Sequence, residues 1–210
     1  MKKFLEFLSE EKKIKKVEQG TLNIFDIDDT LFKPNAKTRV MKDGKEVRRL
    51  SSEELKTYKP KPGEKLDFVE FRSGKHFHDA AEPIEKMIRR AQLVVQHQGG
   101  RSRTIIVTAR ADLSDKDMFL KKFKDHGFPI DEVHVERAGN VKGGGNHSPI
   151  SKAFVIRKYI NSGKYNKLRM WDDHEGNLQF FLKLSKLHPE IEFEAYLVNP
   201  KTGIPKRYAV

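Results

Sequence analysis

The chain has 210 residues, enough for one full-sized domain and short for two. It has no cysteine, which excludes disulfide scaffolds, zinc–thiolate sites, iron–sulfur clusters and thiol catalysis, and no apolar run approaches the ~20 residues of a membrane span. Lys and Arg number 42 against 30 Asp and Glu, a net charge of +12, which suits a polyanionic partner such as nucleic acid, or reflects a surface that is simply basic.

Residues 3–17 carry Phe4, Leu8 and Ile14 among lysines and predict a short amphipathic helix. Glu6 and Glu10 interrupt the apolar stretch behind Lys2 and Lys3, so no signal peptide is expected and a soluble, cytoplasmic protein is. Leu22–Phe25 is a first apolar strand. About 75 residues separate it from the next strand, far more than one crossover helix needs. Within that gap Thr38–Lys42 and Lys45–Arg49 flank Asp43-Gly44, a hairpin signal. Ser51 and Glu54 then make a capping-box pattern, and Lys59-Pro60-Lys61-Pro62-Gly63 breaks regular structure. Residues 34–80 therefore read as a cap or lid inserted after the first strand.

Ile84, Met87, Ile88, Ala91, Val94 and Val95 share one helical face, with Pro83 opening the helix. The strand Thr104–Val107 follows, then a helix with Met118, Leu120 and Phe123, capped by Ser114. Glu132–Val135 is a strand, and Ser148-Pro149 begins a helix with Phe154, Ile156, Tyr159 and Ile160. Leu168–Trp171 is a strand, Leu178, Phe181, Leu182 and Leu184 mark a helix, and Ile191–Val198 is a last strand. Alternating strands and helices predict an α/β protein, a Rossmann-like parallel sheet sandwiched by helices in a single domain over 1–210.

The strongest chemical signal is Phe25-Asp26-Ile27-Asp28-Asp29-Thr30-Leu31. Three carboxylates within four residues at a strand end repel unless a cation or shared proton relieves them. Alternation puts Asp26 and Asp28 on one side, where one can attack and the other handle protons. Two other strands end alike, in Thr108-Ala109-Arg110 and in Asp172-Asp173. The carboxyl ends of parallel neighbours lie together, so five carboxylates would converge and call for a hard divalent cation, Mg²⁺ above all. Thr108 offers a hydroxyl, Ala109 and its neighbours backbone amides, and Arg110 a planar fork for phosphate. Lys152, in the first turn after Ser148-Pro149, opposes the helix dipole and so points to an anion bound there. Lys142 is its nearest competitor.

Asp26-Ile27-Asp28-Asp29-Thr30-Leu31, then Thr108, Lys152 and Asp172-Asp173, resembles the four ordered motifs of the haloacid dehalogenase superfamily, over Leu22 to about Phe181. The resemblance implies Mg²⁺-dependent phosphoryl transfer through an aspartyl-phosphate. Asp26 would be the nucleophile, and Asp28 would protonate the leaving group and then activate water. Thr108 and Lys152 would hold phosphoryl oxygens. Asp172 and Asp173, with Asp26 and the backbone carbonyl of Asp28, would form the metal site. The insertion falls where this family places one type of cap.

Thr108-Ala109-Arg110 is similar to the Thr-Gly-Arg variant of the second motif in polynucleotide 3′-phosphatases, such as the phosphatase domain of phage polynucleotide kinase, with Ala109 for glycine. No phosphate-binding loop of a kinase is present, and Gly143-Gly144-Gly145 reads as a flexible loop. The expectation is a phosphatase for nucleotides or phosphorylated nucleic-acid ends. A small-metabolite phosphatase and a non-catalytic nucleic-acid-binding protein are the alternatives. Among other candidates, His76 and His78 could bind metal but suit a solvated loop. Phe68, Phe71 and Phe77 could stack bases but suit packing of the cap, and His174 could orient an aspartate.

Overall fold

Short runs rich in Ile, Val and Leu make the centre of a six-stranded sheet, because β-branched and apolar side chains fit a pleated surface covered on both faces. The computed structural model describes residues 19–141 and 148–209. The helix expected over 3–17, Lys142 and the triglycine segment lie outside them. In chain order the elements are β1 (Thr21–Phe25), β2 (Phe32–Lys33), β3 (Thr38–Lys42), β4 (Lys45–Leu50), α1 (Ser52–Thr57), β5 (Glu64–Asp67), α2 (Gly74–Ala80), β6 (Glu82–Pro83) and α3 (Glu85–Gln96). There follow β7 (Arg103–Thr108), α4 (Lys116–Asp125), β8 (His134–Arg137), α5 (Ser148–Ile160), β9 (Lys167–Asp172), α6 (Glu175–Ser185), β10 (Glu192–Asn199) and β11 (Ile204–Tyr208).

The main sheet has the order β11-β10-β9-β1-β7-β8. Its strands pair in parallel except for β11, which runs antiparallel to β10. β1 is central, so the segments that leave its carboxyl end are flanked by those leaving β7 and β9. Strand alternation splits the core in two. Leu22 and Ile24 face α5 and α6, meeting Ile156, Ile160, Leu178 and Phe181. Phe25 faces the other way, with Met87 and Ile88 of α3 and Phe119 and Phe123 of α4. Its ring stacks on Trp171 at 4.4 Å, and Trp171 stacks on Tyr196 at 5.2 Å. Among the described residues no helix is long and apolar enough to cross a membrane.

Between β1 and α3 the chain builds a small three-stranded sheet of order β4-β3-β5. Asp43 and Gly44 turn its hairpin with φ of 50° and 76°, the left-handed pair that a primed turn requires. Ser51 and Glu54 satisfy each other's backbone N–H groups at the start of α1. The last helix of this stretch, α2, packs into the body, where Phe77 is fully buried against Phe32, Phe119 and Phe123.

Several boundaries differ from those the sequence predicts. Pro83 does not open α3; it pairs with Phe32 in the two-residue ladder of β2 and β6, and the helix starts at Glu85. Ser114 does not cap α4. Asp115 holds that position with φ 53°, while the Ser114 hydroxyl donates to the Arg72 carbonyl. β8 begins at His134, because Ile130–Glu132 forms a 3₁₀ turn that buries Ile130.

Candidate active site

β1 delivers its chain end to the rim of the sheet, where the Asp26 N–H donates to the Trp171 carbonyl at 3.0 Å. The strand stops there. The Ile27 carbonyl then collects the N–H groups of Thr30, Leu31 and Phe32 at 3.2, 2.8 and 2.9 Å, and Asp29 takes a positive φ of 59°. This tight coil buries Ile27 and Leu31 and ends the strand alternation that would have set Asp26 and Asp28 side by side.

Asp26 is almost wholly buried. Its Oδ1 lies 2.7 Å from Nζ of Lys152, and the same ammonium lies 2.8 Å from Oδ2 of Asp172. Lys152 reaches this point from the start of α5 and is itself only 2% exposed. One carboxylate oxygen each from Asp26, Asp172 and Asp173 lie within 4.8 Å of one another. Burial pushes the Asp26 carboxyl well above the ordinary carboxylate range; Lys152 pulls it back, and Asp172, Asp173 and Asp28 push it up further. Burial works to neutralise Lys152, but Asp172 and Asp26 outweigh it and hold the ammonium above its usual pKa. Three carboxylates around one ammonium leave a surplus of negative charge. Their hard oxygen donors could hold a divalent cation.

Asp172 is fully buried at the end of β9 and is held from three sides. Besides Lys152, it accepts the backbone N–H of His174 at 2.9 Å and the Asn177 amide at 2.8 and 2.9 Å. His174 thus orients an aspartate through its main chain. Asn177, buried at 6% exposure, was not singled out from the sequence. Its signal was available: a lone amide on the buried face of α6, five residues beyond Asp172.

The carboxylate of Asp28 does not join this group. Arg110 grips it with both prongs, Nε to Oδ2 at 2.9 Å and Nη2 to Oδ1 at 2.7 Å. The third nitrogen of the guanidinium, Nη1, donates to the Phe71 carbonyl at 2.9 Å. The Phe77 and Phe71 rings lie 4.7 and 5.3 Å from its central carbon. The Arg110 side chain is 1% exposed, so its fork is fully engaged within the protein. Thr108 is buried at the end of β7, and its Oγ1 accepts the Arg110 N–H at 3.1 Å. Ala109 is exposed, and its carbonyl sits 2.4 Å from where a Cβ on Gly139 would fall. That contact requires glycine at 139, a second position that periodicity could not single out.

The remaining candidates lie apart. His78 bridges Asp79 and Asp125 at 2.8 and 3.0 Å, a surface network between α2 and α4, and His76 lies 3.7 Å from Glu70. Phe71 covers Arg110, Phe77 belongs to the core, and Phe68 packs edge-on to Phe71. No family model, no curated protein and no solved structure matches the chain.

Proposed function

We propose that this chain is a Mg²⁺-dependent phosphomonoester hydrolase that works through an aspartyl-phosphate, with nucleotides or phosphorylated nucleic-acid ends as its substrate class. The observation that carries this reading is the group of buried Asp26, Lys152 and Asp172 with half-buried Asp173 at the carboxyl edge of a mostly parallel sheet, the place where open α/β sheets bind ligands. Burying several charges around one point is costly, and a fold keeps such an arrangement where the charges act.

A carboxylate oxygen of Asp26 attacks phosphorus, and the bond from phosphorus to the ester oxygen breaks as the leaving oxygen takes up a proton. Water then attacks phosphorus, releasing inorganic phosphate and the free carboxylate. Lys152 holds the reacting carboxylate in place and offsets charge that gathers on the phosphoryl oxygens. Asp28 would move the proton, and because each of its oxygens accepts an N–H from Arg110, that transfer is coupled to the pair. Asp26, Asp172 and Asp173 would hold Mg²⁺, which when bound neutralises the surplus charge and polarises the phosphoryl group.

Burial of Arg110 under Phe71 favours a second reading. A guanidinium committed to Asp28 and to the inserted cap does not face a polymer, and a small phosphorylated metabolite fits a site roofed in this way. The test is hydrolysis of an aryl phosphate in Mg²⁺ and in EDTA, with Asp26→Asn as control, followed by nucleoside monophosphates, end-phosphorylated oligonucleotides and sugar phosphates. Turnover should need Mg²⁺ and fall by several orders of magnitude in Asp26→Asn. Metal-independent turnover, or an active Asp26→Asn protein, would refute the mechanism.

A further inference from the structure

A groove of about 710 Å³ lies along α3, away from the acidic group. α3 forms one wall and the start of β11 the other, and residues of β1 and β9 contribute to its floor. Lys86, Arg89 and Arg90 line it from the helix. They recur at intervals of three and four residues, so they form one stripe beside the buried stripe of Met87, Ile88, Ala91 and Val95. All three are exposed, and none has an ion pair among the described residues. Arginines elsewhere find carboxylates, as Arg39, Arg49 and Arg137 do.

Leu93, Val94, Ile204 and Pro205 also line the groove, but its floor is polar. Asn23 sits between Leu22 and Ile24 on β1, is 4% exposed, and its amide oxygen has no hydrogen-bond partner. Arg169 of β9 lies beside it in register and lines the same groove, with its Nε paired to Glu194 at 2.7 Å. A sheet face meant to be covered by a helix carries aliphatic residues at such positions. Gln98, at the far end of the groove, also has an amide oxygen without a partner. An amide oxygen accepts, so these two positions call for a hydrogen-bond donor, such as a sugar hydroxyl. The cationic wall calls for an anion, and a sugar–phosphate chain carries both a donor and an anion. The helical wall from Lys86 to Gln96 covers about 15 Å at ~1.5 Å per residue, and its three cations share the first turn, about 6 Å. A single phosphate would engage one or two of these groups, whereas a chain of phosphates would engage the row.

We propose that this groove binds the sugar–phosphate backbone of a nucleic-acid strand. The inference concerns a surface outside the acidic group, and it stands whether or not that group hydrolyses phosphate esters. It gives the excess of positive charge a location, which the engaged Arg110 does not.

The test is fluorescence anisotropy with the full chain, EDTA, and a labelled short oligonucleotide bearing hydroxyls at both ends, titrated at several salt concentrations. Wild type should bind, with affinity falling as salt rises. Arg89→Glu/Arg90→Glu should weaken binding about tenfold or more at low salt and flatten the dependence of log affinity on log salt by about 1.4, for two lost phosphate contacts on a single strand. Lys42→Glu/Lys45→Glu, the same charge change on the exposed cap hairpin, should leave affinity within about twofold, because those lysines lie outside the groove and screening weakens charges far from a bound strand. Arg89→Gln/Arg90→Gln repeats the comparison with neutral side chains should the reversed charges impair folding. Aryl phosphate hydrolysis in Mg²⁺ is measured on the same variants, so a failed groove and a failed active site are told apart. No binding by wild type, an unchanged salt slope in both groove variants, or equal weakening by the cap variant would overturn the proposal. So would displacement of the strand by inorganic phosphate or a mononucleotide at equal phosphate concentration, which would make the groove a small-anion site.

Discussion

Lys152→Met is the sharpest perturbation of the acidic group. The substitution keeps an unbranched side chain in a fully buried place and removes the ammonium that lies 2.7 Å from Asp26 and 2.8 Å from Asp172. Asp26 and Asp172 would then lack their shared cation, with a carboxylate oxygen of Asp173 within 4.8 Å of theirs. Breaking a buried ion pair by removing one partner costs about 3–5 kcal/mol. For a chain of this size each kcal/mol moves the Tm by about 2–4 °C, so the variant in EDTA should melt about 6–20 °C below wild type. Mg²⁺ should then stabilise the variant more than wild type, because the dication supplies the charge that Lys152 no longer does. A saturating ligand at a hundred times its Kd contributes about 2.7 kcal/mol in wild type, which sets the reference gain. Circular dichroism melts of both proteins, with EDTA and with Mg²⁺, measure all four values. A variant that melts with wild type in EDTA, or gains no more from Mg²⁺, would show that Lys152 does not balance these carboxylates.

Arg110→Lys replaces a three-pronged fork by one ammonium that cannot serve both Asp28 oxygens and the Phe71 carbonyl; kcat should fall about 10–100-fold, the range seen when a group that orients a working side chain is lost, with the Tm in Mg²⁺ showing whether the fold survives. Gly74→Ala would set a Cβ 2.2 Å from the Asp115 carbonyl and 2.7 Å from that of Ser114, both unyielding backbone, and should cost about 1–3 kcal/mol as a lower denaturant midpoint with unchanged slope. Because the metal-free fold raises the Asp26 pKa, it binds a proton there more tightly than the unfolded chain. The stability that proton gives is present at the acid end and is lost as pH rises from the ordinary carboxylate range through the raised value. In EDTA the Tm of wild type should therefore fall over that interval relative to Asp26→Asn, and parallel curves would contradict the raised pKa.

The central strands and the helices between them were legible because each is a run of one period: alternate or continuous apolar residues in β1, β7 and β9, and every third or fourth residue in α3 and α6. The hairpin of β3 and β4 was legible from two residues, Asp43 and Gly44, whose chemistry suits one turn type. What escaped had no period to read. β2 and β6 are two residues long. β11 contains Pro205 and lies at the sheet edge, where a missing N–H costs little and alternation need not hold. Ser114 and Pro83 carried good local signals that longer-range contacts overrode, a carbonyl of Arg72 in one case and the β2 ladder in the other.

The candidate site divides in the same manner. Asp26, Asp172 and Asp173 stand at the ends of adjacent parallel strands, and strand ends are where periodic patterns stop, so their gathering could be anticipated. Who neutralises whom could not. Arg110 lies 82 residues from Asp28 and 39 from Phe71, and only the coil that follows Ile27 turns Asp28 towards it. The outcome is two charge systems at one rim. In the first, Asp28 and Arg110 cancel. In the second, Asp26 and Asp172 share the one ammonium of Lys152, with a carboxylate oxygen of Asp173 close to both. A phosphate dianion reaching this rim meets no unpaired positive side chain among these six residues. Under the proposed function its charge is met by the bound cation and by Lys152. Bidentate use of the Arg110 fork on that phosphate would unpair Asp28, and under the same proposal phosphate capture would then release the group proposed to move the proton.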